Sequence, residues 1–530
     1  MRITAEFRKS MAWLHTWIGI AVSGILFAIF WMGTLTVFHL EINKWMQPEL
    51  RSITEIDGPL DPVVMPIIEE ATFAPSEQIF FSRPTDRMPL IRYGRFGGDE
   101  RVNAYLHPLT GEVVELTNTY GASGFFYPFH YSLHLSWMGL GYWIVGLASI
   151  ALLVLVVSGI FIHRKIFQDF FTFRPKKNVR RSTLDLHNLM ALIALPSHIL
   201  FPLSGILILG LIYIPDALSV PFGGDRAAYN EARVGFYAPE IEGGFGEKPQ
   251  SMDRFIERAE GLWTRRDGKE ARADFFRIMN AGDSSSMVMV QHAFAQGRVA
   301  RATGNVTFDT ATGSLLKDFQ PGPGRLASSW LEGAHFMRYD HWAIRWMFFF
   351  AGLSGCTMIG TGMLFWMRAR IRKGMEPASV RVVRALSVGI MPGIIAASGA
   401  FLIANRVLPI EARLCGLDRA ALEAMVFFSL WVLTFAHGAL RGKPAWREEC
   451  WLIAAIAGLA PILNWVTTGD FVVGQVLAGS AAVAGTDLVL IASCGIAIVV
   501  ARRLAKTERY ERGEAPANAV LAPGGLARTP

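Results

Sequence analysis

Eight uninterrupted apolar runs divide this sequence, and each is about 20 residues long, enough for a helix to cross the hydrocarbon core of a bilayer. The composition agrees, since 52% of the 530 residues are hydrophobic and the mean hydropathy is +0.32. The runs predict membrane-spanning helices at 13–38, 143–162, 189–213, 346–366, 385–408, 421–440, 449–466 and 472–501. The last is the least regular, because its glycine-rich beginning is expected to break the helix.

Basic residues collect on one side of this predicted bundle. Seven Lys and Arg residues lie between Arg164 and Arg181, and other basic groups precede the first span and follow the fourth and eighth. Short cytoplasmic loops are enriched in Lys and Arg, so both termini are predicted to be cytoplasmic. The first run lacks a small-residue cleavage pattern and is interpreted as an uncleaved anchor. The net charge of +7 is then a topology signal, and no binding to nucleic acid is expected.

Two long polar segments lie outside the spans. Each ends in a similar phrase, NAYLHPLTGEVVEL and NVTFDTATGSLLKDF, whose alternation and Thr-Gly pair predict a strand, a tight turn and a second strand. The pattern therefore predicts two small α+β modules, related as an internal repeat. The predicted parts are a first transmembrane helix (1–39), an extracytoplasmic module (40–129), helices two and three with a basic cytoplasmic loop (130–213, loop 164–186), a second extracytoplasmic module (214–334), a fourth helix (335–372), a C-terminal block of about four helices (385–501) and a disordered cytoplasmic tail (502–530).

Histidines cluster at the ends of the first four predicted spans, whereas the last four contain only His437. Ionisable residues are costly in a bilayer and usually face a bundle interior, where two imidazoles on facing helices can bind one haem iron. The sequence has no CxxCH motif, so a covalently attached c-type haem is excluded. The pattern predicts non-covalent haem b in a mostly α, polytopic bundle, with capping or interfacial histidines as the alternative.

The depth of each histidine limits how they pair. His15 and His39 are 24 residues apart, which is about 36 Å along a helix, so they cannot bind one haem, and two haems across the bilayer fit better. The stretch FFYPFHYSLHLSWMG has two histidines spaced for one helical face, just before the second span. The outer pair is expected to be one of these two histidines with the histidine before the fourth span. The inner pair is expected to be two of the three histidines near the cytoplasmic ends of the spans. The outer candidates are His134 or His130 with His335, and the inner candidates are His15, His163 and His187.

Four longer phrases resemble a known family. They are WLHTWIGI, SLHLSWMGLGYWIVGLASIALLVLVVSGIFIHRKIFQDFFTFRP, LDLHNLMALIALPSHILFPLSGIL and HFMRYDHWAIRWMFFFAGLSGCTMIGTGMLFW. Together they are similar to the PepSY-associated transmembrane proteins of bacterial iron uptake, which include ferric-siderophore reductases of the inner membrane. The resemblance covers about residues 8–372, with both polar segments as PepSY-like modules. The block at 385–501 is absent from the short reductases of this family.

The resemblance implies a four-helix bundle with two haem b groups. It implies that the first and third helices hold the inner haem through His15 and His187, and that the second and fourth hold the outer haem through His134 and His335. Other residues rank second, as neighbours of the haems or as ligands of a further haem. These are His163, His198, His130 and His39, with Arg345 on the outer side and Arg164, Lys165 or Arg180 on the inner side as propionate partners or ordinary topology charges.

The function that follows is transfer of electrons across the inner membrane to ferric iron, held in a siderophore, on the periplasmic side. No GxGxxG phrase follows a predicted strand, so a separate cytoplasmic reductase or a membrane quinol is expected to donate the electrons. One alternative is a transporter of iron, siderophore or another solute. Another is a regulatory or structural protein whose PepSY-like modules bind peptides or proteases. Neither alternative explains the histidines at the ends of the spans.

Overall fold

The structure is a computed structural model that describes residues 4–97, 101–163, 179–214, 216–235, 240–292, 304–337, 341–371, 376–477 and 480–511. The chain divides into two compact units. The first unit comprises Met1–Met46, Asn118–Pro202 and Met347–Pro530, and the second comprises Gln47–Thr117 and Leu203–Trp346.

The described elements are mostly helices. They are α1 (Ala5–Thr36), α2 (His39–Met46), α3 (Asp61–Glu70), α4 (Gly121–Gly124), α5 (Phe126–Ser132), α6 (Leu140–Ile162), α7 (Val179–Ile193), α8 (Leu195–Ile208), α9 (Gly210–Tyr213), α10 (Asp216–Phe222), α11 (Arg226–Val234), α12 (Met252–Asp267), α13 (Pro323–Phe336), α14 (Trp342–Arg370), α15 (Ala378–Val388), α16 (Ile394–Val407), α17 (Arg419–Arg441), α18 (Ala445–Thr468), α19 (Val472–Leu477) and α20 (Ala481–Glu511). The strands are β1 (Gln78–Ser82), β2 (Ile91–Phe96), β3 (Val102–Leu106), β4 (Ala273–Met279), β5 (Met287–His292), β6 (Asn305–Asp309) and β7 (Leu315–Phe319).

Seven helices in the described part of the chain are long and apolar enough to cross a membrane, and a bent pair, α7 and α8, makes an eighth candidate. The two halves of that pair meet at 64°, where Ala194 and Pro196 interrupt the third predicted span. The glycine-rich start of the eighth predicted span forms the separate helix α19, and α20 follows it. The chain is therefore a multi-pass membrane protein, as the apolar runs predict.

The C-terminal helices pack directly against the N-terminal ones in the first unit. Trp31 on α1 donates its indole N–H to Ser398 Oγ on α16 at 3.0 Å. The ring of Phe125, between α4 and α5, stacks on Phe401 of α16 with centroids 4.5 Å apart. The block predicted at 385–501 thus shares one hydrophobic core with α1, α5 and α6.

Two buried polar residues connect α2 to the end of this block. Trp45 donates its indole N–H to Asp487 Oδ1 at 2.7 Å, and Asn464 donates to the other carboxylate oxygen at 3.3 Å. All three side chains are nearly inaccessible to solvent. A carboxylate in a membrane helix is costly unless it is paired, so these contacts fix α18 and α20 against α2.

The second unit contains one antiparallel sheet of seven strands in the order β3-β2-β1-β4-β5-β6-β7. The prediction of two separate modules is wrong in this respect, because β1 of the first polar segment pairs with β4 of the second. Each segment does repeat the order of a helix followed by antiparallel strands, α3 with β1–β3 and α12 with β4–β7. Pairing between β1 and β4 lets both helices cover one shared core, which neither small segment could enclose by itself.

Both predicted turns are present. Gly111 and Gly313 adopt φ values of 74° and 68°, the left-handed region that favours glycine. The second phrase forms a full hairpin of β6 and β7. After the first turn the pairing is shorter, with a bridge between Leu106 and Val113 and backbone hydrogen bonds from His107 to Glu112 and from Val114 to Tyr105. Most of the predicted basic loop (164–178) and most of the predicted tail (512–530) lie outside the described residues.

Candidate functional site

The rings of His15 and His187 form a pair inside the first unit. His15 lies on α1 and His187 on α7, and the ring centroids are 6.3 Å apart with the ring planes at 90°. The Nδ1 of His15 lies 3.0 Å from the carbonyl oxygen of Leu155 and 3.1 Å from Ser158 Oγ. The Nδ1 of His187 lies 2.7 Å from the carbonyl oxygen of Met358. Because a carbonyl oxygen only accepts, each Nδ1 carries the hydrogen and Nε2 of the neutral ring keeps its lone pair.

This separation fits two imidazoles that bind one metal ion from opposite sides. Metal–nitrogen bonds are about 2 Å long, and with the distance from each Nε2 to its own ring centre they predict a centroid separation of about 6 Å. Ligand histidines usually donate their other ring N–H to a carbonyl or carboxylate, which fixes the tautomer and the ring orientation. His15 and His187 meet both conditions. These two residues therefore fit the inner haem that the sequence predicts.

His130 contacts the backbone of α1 in the same manner. It lies on α5, and its Nδ1 is 2.9 Å from the carbonyl oxygen of Ile29. A Cβ atom on Gly33, one turn further along α1, would lie 2.8 Å from both Nδ1 and Cε1 of this ring. Heavy atoms in a packed interior do not approach so closely, so the ring occupies space that only glycine leaves open.

His335 has a similar environment in the second unit. It lies in the last turn of α13, with its Nδ1 2.8 Å from Ser204 Oγ on α8. A Cβ atom on the next residue, Gly205, would lie 3.5 Å from Cε1 of His335. The ring is thus held at Nδ1 by a side-chain hydroxyl and rests against a glycine.

A glycine on another helix lies beside each of these four rings. The pairs are His15 with Gly159, His130 with Gly33, His187 with Gly362 and His335 with Gly205. In three pairs the carbonyl that contacts Nδ1 belongs to the residue four positions before the glycine. Glycine lets the edge of the ring reach the helix backbone, so the carbonyl and the glycine together set the ring orientation.

These glycines are not among the site residues predicted from the sequence, although the sequence contains a pattern that marks three of them. Ser or Thr immediately precedes glycine in three of the four cases, in the phrases VSGIFI, LSGILI and GTGMLF, one in each of three spans. Pairs of small residues in membrane helices mark places where another group approaches the backbone closely. A search for such pairs in the spans that contain histidines finds all but Gly33.

His134 differs from the other four histidines. The prediction that His130 and His134 share one helical face is wrong, because α5 ends at Ser132 and both Leu133 and His134 adopt positive φ values of 52° and 53°. The start of α6 packs closely against this helix end, since a Cβ on Gly141 would lie 1.7 Å from the carbonyl oxygen of Ser132.

The contacts of His134 also use the other ring nitrogen. Its Nε2 lies 2.8 Å from the carbonyl oxygen of Phe125, and its ring stacks on that phenylalanine with centroids 4.8 Å apart. The nitrogen left with a lone pair is then Nδ1, which is closer to the backbone than Nε2 and less able to reach a metal. The contacts of His130 fit a ligand better than those of His134.

His198 and His163 have buried ring nitrogens without partners among the described residues. His198 on α8 is fully buried, neither ring nitrogen has a hydrogen-bond partner there, and its ring contacts Phe30 with centroids 5.9 Å apart. Phe30 follows Ile29 on α1, and the carbonyl of Ile29 contacts His130. His198 and His130 therefore contact α1 at a similar height along its axis. The Nδ1 of His163, at the end of α6, is also buried without a partner in the described structure. A buried imidazole without a hydrogen bond costs about 1–3 kcal/mol, so a polar group is expected at each position.

The remaining candidates have local contacts. His39 begins α2, with its Nδ1 2.7 Å from Ser123 Oγ and its ring stacked on Tyr127. The guanidinium of Arg345 is nearly inaccessible and lies 5.4 Å from the ring centroid of Trp342. The guanidinium of Arg180 lies 5.6 Å from the ring centroid of Phe365, while Arg164 and Lys165 lie outside the described residues.

Known proteins match the N-terminal two thirds of the chain. The family described as the PepSY-associated TM region matches residues 12–369. An uncharacterized protein of Pseudomonas aeruginosa is 25% identical over 353 residues, which cover 62% of this chain and 84% of that protein. The family match includes His15, His130, His187 and His335 and ends before the C-terminal block.

Proposed function

The chain belongs to the family of the PepSY-associated TM region, and we propose that it is a di-haem b electron-transfer protein of the bacterial inner membrane. It passes electrons from the cytoplasmic side to ferric iron on the periplasmic side, with a ferric siderophore as the substrate. The observation that carries this proposal is the pair of His15 and His187, whose rings are 6.3 Å apart and whose Nδ1 atoms both contact backbone carbonyls.

The residues proposed to hold the two haems differ in one position from the sequence prediction. His15 and His187 hold the inner haem, as the sequence predicts. For the outer haem, His130 replaces His134, because its Nδ1 contacts a carbonyl and its ring rests against Gly33. His335 remains a proposed ligand, because its Nδ1 contacts a hydroxyl and its ring rests against Gly205.

Bound haem b supplies a one-electron redox centre whose potential depends on axial ligands, nearby hydrogen bonds and burial. The side chains of this chain act on those properties. The carbonyls of Leu155 and Met358 accept from Nδ1 of His15 and His187, which increases the basicity of the Nε2 atoms. Leu155 and Met358, which contact these rings, belong to the buried hydrophobic core, so the surroundings of the rings are largely apolar.

We assign the remaining roles from the sequence. Both termini are cytoplasmic, and the electron donor is a separate cytoplasmic reductase or a membrane quinol. Reduction of the siderophore-held iron from Fe(III) to Fe(II) consumes one electron and weakens its bonds to hard oxygen ligands, which releases the metal. This activity is that of a transmembrane ferric reductase, and it needs no acid–base residue at the site.

Two measurements test the proposal. A reduced-minus-oxidised absorption spectrum of the purified protein should contain the α-band of b-type haem, with two haems per chain by pyridine haemochrome assay. Proteoliposomes should then reduce a ferric chelate on one side when a reductant that cannot cross the membrane is supplied on the other. Protein without any haem in a haem-replete host would overturn the proposal, whereas haem without transmembrane reduction would overturn only the assigned substrate.

A further inference from the structure

Helix α13 of the second unit turns apolar residues outward. Its five exposed residues are all uncharged, namely Pro323, Gly324, Leu326, Ala327 and Trp330. The exposed fraction is 42% for Leu326 and 50% for Trp330. A surface helix in water has the opposite arrangement, with its apolar residues toward the core and its charged residues outside. The outward side of α13 therefore suits apolar surroundings better than water.

The two charged residues of α13, Arg325 and Glu332, lie on its inward side. The carboxylate of Glu332 is nearly inaccessible, and it accepts from Nη2 of Arg325 at 3.3 Å and from Nη2 of Arg233 on α11 at 3.4 Å. Nε of Arg325 also donates to the carbonyl oxygen of Arg233 at 3.0 Å. Rotation of α13 about its axis would break this buried ion pair, which is costly, so the apolar residues are held outward.

The exposed apolar side chains of α13 form one continuous stripe. Pro323, Leu326, Ala327 and Trp330 are spaced by three and four residues, which places them on one side of a helix. These four residues together are called the outward face of α13. Trp330 is the largest of them, and its indole combines an apolar ring with an N–H donor. Tryptophan is enriched where the hydrocarbon of a membrane meets the headgroups, because it satisfies both surroundings.

The C-terminal end of α13 is attached to two helices that are candidates to cross the membrane. His335 in its last turn contacts Ser204 of α8, which lies inside the apolar run predicted at 189–213. Soon after α13 ends, α14 begins at Trp342 and is long and apolar enough to span a bilayer. Trp342 is itself exposed. The outward face of α13 is therefore continuous with the part of the chain that contacts lipid.

The size of the outward face also favours lipid over a protein partner. A stable protein–protein interface uses about 20–30 residues on each side, combining an apolar centre with a polar rim. The outward face has four residues and no charged group among the exposed residues of α13. Lipid requires neither a large area nor a polar rim, and a helix with one apolar side can lie in the plane of the membrane surface.

We propose that α13 is an interfacial helix whose outward face binds the lipid surface of the membrane. Its apolar side chains reach about 5–10 Å into the boundary between headgroups and acyl chains. Because α13 carries His335 in its last turn, contact with lipid holds this residue at a fixed depth beside α8. The proposal concerns a lipid-binding surface, and it goes beyond the proposed function because it requires no haem and no electron transfer.

The test uses the full chain in vesicles of phosphatidylethanolamine and phosphatidylglycerol, with a nitroxide spin label on α13. The label is attached at L326C or A327C in a C415S background, because Cys415 is an exposed native cysteine, and the signal of C415S alone is subtracted. E257C is the matched control, since Glu257 is an exposed charged residue of α12 in the same unit. Power saturation in electron paramagnetic resonance then compares collisions of the label with oxygen, which dissolves in lipid, and with a nickel chelate, which stays in water.

We expect the ratio of oxygen to nickel collisions at L326C and A327C to exceed that at E257C by roughly threefold or more. The substitution L326Q/W330Q should lower the ratio at A327C, because it removes the two largest side chains that contact lipid. Equal ratios at all three sites would overturn the proposal. Low collision rates with both reagents on α13 would overturn it too, since they would indicate that protein covers this face. The comparison of single labels does not depend on whether L326Q/W330Q folds, and a haem-free protein with the expected ratios would contradict the proposed function alone.

Discussion

The imidazole rings of His15 and His187 lie 6.3 Å apart at right angles, each with Nδ1 in contact with a backbone carbonyl of a third or fourth helix. The two residues come from α1 and α7, and the carbonyls from α6 and α14, so four helices set this one geometry. A pair of capping or interfacial histidines would not need four helices to fix its tautomers. The arrangement therefore favours a cofactor ligand role over a local structural one.

Loss of either member of this pair should remove one haem. We expect H15A and H187A each to contain about half of the wild-type haem, because each variant removes one of the two imidazoles proposed to hold the inner haem. The double variant should lose no more than either single variant, since both residues serve one site. Pyridine haemochrome assay per mole of protein measures this. H437Q is the control, because His437 contacts Glu448 and Glu449 in the C-terminal block; full haem in both single variants would refute the pairing.

The contacts of His130 and His134 lead to opposite expectations for two otherwise similar variants. H130A should lose the haem that remains in H15A, so that H15A/H130A contains almost none. H134A should keep both haems, since the Nε2 of His134 already contacts the carbonyl of Phe125. The same assay distinguishes them, and loss of haem in H134A with full haem in H130A would restore the assignment made from the sequence.

The membrane spans could be predicted from the sequence because the bilayer demands a fixed length of apolar residues. The ends of the helices could not be predicted in this way, because hydropathy marks only the part of a helix that lies in the lipid and not its full length. The first span is predicted at 13–38, whereas α1 begins at Ala5 and continues through Arg8 and Lys9. The pairing of β1 with β4 could not be predicted either. The alternation of apolar and polar residues assigns each residue to a face of the sheet, but it does not identify the neighbouring strand.

The site was predictable in its residue types but not in its details. Histidines at matched depths limit the inner pair to two of His15, His163 and His187, and only the resemblance to the family selects His15 with His187. The choice between His130 and His134 depends on a helix that ends at Ser132, where the backbone of Gly141, nine residues further along, packs against the Ser132 carbonyl. Such contacts between segments leave no local pattern. Gly33 lacks the Ser or Thr that precedes the other three glycines, so its role is visible only in the structure.

Filling the space beside His130 should disturb its ring. G33A would bring a Cβ atom to 2.8 Å from the ring of His130, and we expect a loss of about 1–3 kcal/mol in stability together with a changed electron paramagnetic resonance spectrum of one haem. G24A is the matched control on the same helix, because its Cβ would lie 2.7 Å from Cδ1 of Ile390 and near no histidine. It should reduce stability less, because the terminal methyl group of Ile390 can move, and it should leave both haem spectra unchanged. Identical haem spectra in the two variants would contradict the role of Gly33.

Acid should weaken the second unit through one carboxylate. Asp283, in the turn between β4 and β5, accepts from the hydroxyl and N–H of Ser285 and from the N–H groups of Glu242 and Gly243. These hydrogen bonds lower the pKa of Asp283 to about 2. The stabilisation is complete above the unfolded pKa of about 3.9 and is lost as the pH falls from there through about 2. Thermal unfolding of the full chain should show this loss between pH 5 and pH 2. D283N should be less stable at pH 5 and should lose less stability on acidification, and an unchanged pH profile in D283N would assign the acid sensitivity to other groups.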